Sequence, residues 1–120
     1  MTVEKQIFET LRALVDGRVY PDVAPEGVAR PYVTYQQVGG VPVNFVDGGI
    51  PGMRNARFRV NVWDDRRATV TATCVAVEHA LRNDPALQTT VMTNPVALND
   101  PETRLRGTSQ DFSVWFPLSP

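Results

Sequence analysis

Chemistry-bearing side chains are scarce in this chain. It has one cysteine, Cys74, and one histidine, His79. A single thiol rules out an intrachain disulfide and any multi-cysteine metal cage, and it is compatible with a reducing compartment. With no His/Cys cluster there is no ligand set for a catalytic metal. A Ser-His-Asp arrangement would have to recruit His79 from an exposed helix face with nothing to orient it. The paired glycines Gly39–Gly40 and Gly48–Gly49 have neither the spacing nor the strand-to-helix setting of a phosphate-cradling loop. Asp64 and Asp65 form a carboxylate pair, but helix capping accounts for them better than glycosidase chemistry. The expectation is a non-enzyme with no catalytic residue, no metal and no cofactor.

An excess of charge is also missing. Twelve basic against thirteen acidic side chains leave a net charge of −1. That is far from the basic surplus of a protein that neutralises phosphates, so no specific nucleic-acid binding is expected. No apolar run approaches the roughly 18 residues that span a bilayer, and no membrane partner is expected. The opening Met-Thr-Val-Glu-Lys-Gln has no basic stretch leading into an apolar core, so no signal peptide is expected, and the chain reads as soluble and cytoplasmic. At 120 residues with 42% hydrophobic content, residues 1–120 form one domain with a core that needs no staples.

What is present is organised around the stretch from Arg54 to Asn83. Ala56, Phe58, Val60 and Val62 alternate with Arg57, Arg59, Asn61 and Trp63, the period-2 pattern of a half-buried strand. Asp64 and Asp65 then offer oxygens to the free N–H groups of a helix from Arg66 to Asn83, with Val70, Cys74, Val77 and Leu81 on one face. Cys74 is a small buried hydrophobe there, and His79 projects on the opposite side. Before this unit, Thr2 caps a first helix running to Val15, closed by Gly17. Its Ile7, Phe8, Leu11 and Val15 share an apolar arc, and Lys5–Glu9 and Arg12–Asp16 are spaced as i,i+4 pairs. A connection from Arg18 to Arg30 contains a short extended piece at Val19–Tyr20. Tyr32–Val38 is the first long strand. Strands at Gln88–Met92 and Leu105–Leu118 follow the second helix, with Asn99–Asp100–Pro101 as a turn. The ten prolines all fall outside the interiors of these elements. The predicted architecture is α+β in the order α-β-β-α-β-β: a four-stranded, mainly antiparallel sheet with both helices packed on one face.

Two surfaces stand out. Residues 39–54 combine five glycines and two prolines with Val41, Val43, Phe45, Val46, Ile50 and Met53. This is too broken for a regular element and too apolar for a linker, so it is read as an extended hairpin or a flexible arm that buries those residues on a neighbour. If Phe58, Val60, Val62, Phe112, Val114 and Phe116 face the helices, then Arg57, Arg59, Trp63 and Trp115 face outward. Tryptophan and arginine are the types enriched at interface hot spots. The competing reading has the arginine stems covering the tryptophans within the monomer. The candidate interface is therefore Val43, Phe45, Ile50, Arg57, Arg59, Trp63 and Trp115.

The order of features also carries a resemblance. The helix Ile7–Val15, then Gly17–Arg18–Val19–Tyr20–Pro21, Ala24–Pro25 and Arg30–Pro31–Tyr32–Val33–Thr34–Tyr35–Gln36, resembles the tail-completion, or tail-terminator, proteins of long-tailed phages and prophages. The likeness continues through Phe58–Arg59–Val60–Asn61–Val62–Trp63 and the alanine-rich helix to the last strand, so it covers nearly the whole chain. It implies a structural virion protein with no catalytic motif. Its partners would be itself in a homo-hexamer, the tail tube protein and a head-completion or connector protein, with assembly in the bacterial host cytoplasm. The implied role is a ring on the head-proximal end of the tail tube that stops tube polymerisation and presents the surface for head joining. The alternative is a small α+β ligand- or protein-binding module with a loop-lined cleft.

Overall fold

The computed structural model describes residues 2–49 and 52–117. Helix α1 spans Val3–Leu11, and Thr2 Oγ1 caps it by accepting from the Lys5 N–H at 3.1 Å. A single 3-10 turn, Arg12–Leu14, finishes it. The helix therefore ends a turn earlier than its periodicity suggests. Asp16 lies beyond it at positive φ, so the expected Arg12–Asp16 pair does not form. Arg12 instead bonds Glu9 at 3.1 Å, and Asp16 lies 3.8 Å from Arg18.

Strands β1 (Val19–Pro21), β2 (Tyr32–Gly39) and β3 (Met53–Asp64) precede helix α2 (Arg67–Asn83). Strands β4 (Thr90–Val91), β5 (Val96–Asn99) and β6 (Arg106–Pro117) follow it. The sheet thus has six strands rather than four, and the order is α-β-β-β-α-β-β-β. Its path is β1-β2-β3-β6-β4, with β5 also on β6. The β1–β2 pair is parallel and the other pairs are antiparallel, which makes the sheet mixed. The extra strands are short edge pieces of three and four residues, which carry little alternation of their own.

The spine is the β3–β6 ladder. It is continuous from Met53 opposite Pro117 to Asp64 opposite Arg106. Ala56, Phe58, Val60 and Val62 of β3 and Phe112 and Val114 of β6 are buried on one face. They join Val33 and Tyr35 of β2, Ile7 and Leu11 of α1, and Val70, Val77 and Leu81 of α2 in one core. Each fully buried side chain of this size contributes about 1.5–3 kcal/mol. Both helices thus serve the same side of the sheet.

Polar contacts fix how the helices sit. The α2 start is not capped by Asp64 or Asp65: its N-cap is Arg66, with no side-chain cap bond. Asp65 accepts instead from Arg30 Nε at 3.0 Å, and Asp64 Oδ1 accepts from the Asp65 N–H. The first turn is tied to the sheet by Arg67, which donates to the carbonyls of Gly107 (2.7 Å) and Leu98 (2.8 Å). Midway along the helix, Gln110 Nε2 donates to Glu78 Oε1 at 2.9 Å and to the Thr93 carbonyl at 3.1 Å. Cys74 is buried against Gln110, and His79 is exposed on α2. At the far end Asp84 accepts from Gln6 Nε2 at 2.9 Å and from the Thr10 hydroxyl, which joins α1 to α2. Burial alone would raise the Asp84 pKa, but the Thr10 and Gln6 donors and the Ala86 N–H outweigh it and hold the carboxyl below its ordinary value.

Candidate functional site: an open sheet face and a projecting arm

The face of the sheet away from the helices follows from the register. One row runs Tyr32, Trp63, Gly107 and Leu98; the next runs Thr34, Asn61, Ser109 and Val96. Then come Gln36, Arg59 and Asp111, followed by Arg57 and Ser113, and by Asn55 and Trp115. Arg57, Arg59, Trp63 and Trp115 therefore share this face, as the alternation required.

They do not form one cluster. Eight residues of β3 separate the Trp63 row from the Trp115 row, which at a strand rise of about 3.3 Å per residue is roughly 26 Å. Trp63, half-buried, lies across Gly107: a Cβ placed on that glycine would come within 2.7 Å of Trp63 Cε3. The ring is thus partly spent inside the monomer, on a backbone that only glycine leaves low enough. Trp115 is also half-buried, at the opposite end.

The two arginines do come together, on a residue that periodicity alone does not single out. Asp111 is 3% exposed, although it points to the open side. Arg57 donates to its Oδ2 through Nε at 2.9 Å and approaches it with Nη2 at 2.6 Å. Arg59 donates through Nε to Oδ1 at 2.9 Å and through Nη2 to Oδ2 at 3.2 Å. The Arg59 bond, against the opposing effect of burial and with help from Arg57, holds the Asp111 carboxyl below the ordinary carboxylate range. Asp111 also anchors the edge strand, since its N–H donates to Thr93 Oγ1 and its carbonyl accepts from the Met92 N–H, both at 3.0 Å. The arginines are accordingly engaged with a carboxylate rather than laid over the tryptophans. The antiparallel register that sets Asp111 opposite Arg59 is the signal that would have revealed it.

At the Trp115 end of the sheet the β2–β3 hairpin opens into the arm, residues 40–52. Gly40 starts it where a side chain does not fit: a Cβ would collide with the Asn55 carbonyl and sit 3.1 Å from Ala56 Cα. Asn55 Oδ1 then accepts from the Val41 N–H at 2.8 Å. Beyond that, a turn is closed by the Gly48 N–H donating to the Phe45 carbonyl at 3.0 Å, and Asp47 Oδ1 accepts from Gly49 N–H at 2.8 Å. Phe45 is 51% exposed and Val46 fully so, while Val43 is half-buried. Ile50, the remaining candidate, lies outside the described residues. An open hollow of about 490 Å³ lies at the arm's base between Gln37, Val41, Val43 and Met53. Gln37, Arg54 and Asn55 are its polar lining side chains, and Arg54 is the one charged group among them.

Among the described residues no group of His, Cys, Asp or Glu could hold a metal ion, and no helix is long and apolar enough to cross a membrane. The chain is thus of the class of small α+β proteins with an open sheet face, on which two arginines share one buried carboxylate, beside an arm with uncovered apolar side chains. Comparison with known proteins gives that class its particular form. Residues 9–117 match the model of the Tail completion protein gp17 family, and the chain belongs to that family. It is thus a structural component of the virion tail, of a non-enzymatic family. A chain from a solved structure described as "Virion of native gene transfer agent (GTA) particle" has the same fold, with 21% sequence identity and a TM-score of 0.59. The match covers 92% of this chain and 91% of that one. No curated protein matches the sequence.

Proposed function

We propose that the chain terminates the phage tail tube by closing into a hexameric ring on its head-proximal end. One face of the ring docks on the last tube ring, and the other lacks the surface for a further one. That second face then receives the head-completion or connector protein. The observation that carries this reading is uncovered surface with no chemistry attached to it: Phe45 and Val46 in the arm, and the Arg57/Arg59 face beside them. No bond is made or broken, because individually weak contacts become strong when six subunits engage together. A fold shared with a virion chain supports the assignment. The protein would assemble in the bacterial host cytoplasm and end in the virion.

Light scattering coupled to size exclusion, over a wide concentration range and with and without tail tubes, tests this. The expected result is a species of six subunits, free or bound at tube ends. A chain that remains a 13.3 kDa monomer alone and leaves tube length unaltered would end the reading.

A further inference from the structure

The arm tip and the open face have complementary surfaces. At the tip, Asp47 is exposed, and among the described residues only its Oδ1 is engaged, by Gly49 N–H. Phe45 lies two residues away across one turn, with nothing covering half of its surface. On the sheet, two guanidinium groups share one carboxylate, so the Arg57–Asp111–Arg59 cluster carries one net positive charge. Both arginine side chains remain open to solvent, at 38% and 48% exposure. Neither Nη1 has a hydrogen-bond partner among the described residues. Trp115 stands two residues along β6 from Ser113, the register partner of Arg57. From the Arg57 row to Trp115 the charge and the aromatic ring are thus offset by a distance similar to that between Asp47 and Phe45, on the order of 6–7 Å, whereas the Arg59–Asp111 row lies about twice as far from Trp115.

We propose that the arm of one copy seats on the open sheet face of the next, with Asp47 meeting the outer Nη1 edge of Arg57 and Phe45 packing beside Trp115. This rests on the ring reading above and assigns the surface on which its arm lands. The occupant is a second copy of this chain for a geometric reason. Donor arm and receiving face are different patches of one molecule, so the contact is head-to-tail, and a head-to-tail contact closes into a ring when its rotation permits. Within one copy the arm does not cover the face, because Phe45 and Val46 stand exposed. The charge pair fixes register and steers encounter, and the aromatic contact excludes water.

Paired cysteines test the contact. Gln36 is exposed and is the register partner of Arg59, so Gln36→Cys places a thiol beside the receiving cluster without touching Asp111. Asp47→Cys places its mate on the arm. The two single variants are mixed and oxidised mildly in whichever state the mass measurement shows assembled, free or on tube ends. Mixing makes any hetero-disulfide intermolecular, and the unsubstituted chain, with buried Cys74 alone, sets the background. The expected result is a covalent dimer in the mixture well above either variant by itself. Asp47→Asn keeps the oxygen that caps Gly49 but removes the charge, so it should raise the midpoint concentration of assembly roughly tenfold, while Asp47→Glu should restore it. A ring with no mixed disulfide would overturn the arm docking and leave the ring itself standing. A disulfide formed only inside a chain carrying both cysteines would also overturn it, by returning the arm to its own sheet. Absence of any assembled state would remove this inference together with the ring.

Discussion

Asp111 shows how a single side chain can settle the character of a face. Two arginines on an open sheet would repel each other and stay mobile; sharing one buried carboxylate orders both and leaves their outer edges presented. Replacing Asp111 by Asn should cost about 1.5–3 kcal/mol in urea unfolding, since charge-assisted bonds are lost at a buried position. It should also change the acid limb. The folded-state pKa of Asp111 is depressed below the ordinary 3.8, so its stabilisation is complete above that value and is lost as pH falls through the lower folded one. Unfolding free energy measured from pH 6 down to pH 2 should therefore fall less steeply in D111N than in the parent. The alternation in Asp111–Phe112–Ser113 shows that Asp111 leaves the core side, but it does not show which residue stands opposite. That information lies in the register between strands some fifty positions apart, which no local pattern encodes.

At the scale of elements, the long strands and both helices were legible, because each carries enough residues to display its period. The first helix overran because Leu14 and Val15 extend the apolar arc, although the backbone has already tightened to a 3-10 turn. The predicted cap failed for a related reason. Asp65 fits a capping role by sequence, but the long-range partner Arg30 claims its side chain. Strands β1 and β5 are held by their neighbours' ladders rather than by their own composition, and β4 keeps only two of the five residues its β-branched run suggested. The meeting of β3 and β6 at Trp63 and Gly107 gives a sharp test. Gly107→Ala should destabilise by about 1–3 kcal/mol, because the new methyl group meets both the indole and the Val62 carbonyl. In combination with Trp63→Ala the cost should be smaller than the sum of the two. A thermal double-mutant cycle measures that coupling; strict additivity would mean that the ring does not rest on the glycine.

For the molecule as a whole, fold and candidate interface separate cleanly. The described core lies between the helices and one face of the sheet, and no described residue of the arm belongs to it. Exchanging residues 41–51 for a short Asn-Gly turn should leave the thermal midpoint within a few degrees of the parent while abolishing assembly, read by melting and by mass in parallel. A large loss of stability would show that the arm belongs to the monomer's own core. The sequence showed that this segment is unusual, since glycines and prolines break it and apolar residues persist in it. It could not show the arm's surroundings, because those depend on where the hairpin ends relative to Trp115 and the arginine pair.

The chain's shape has a hydrodynamic consequence as well. The chain has principal extents of 53 × 25 × 23 Å, about twice as long as it is wide, with the long β3–β6 ladder contributing much of that length. A body of that shape has a larger Stokes radius than a sphere of equal mass, so a single copy should emerge early from a sizing column. Docking the arm against a neighbour would remove part of that drag, and the step from one copy to a closed ring would be smaller in elution volume than in mass.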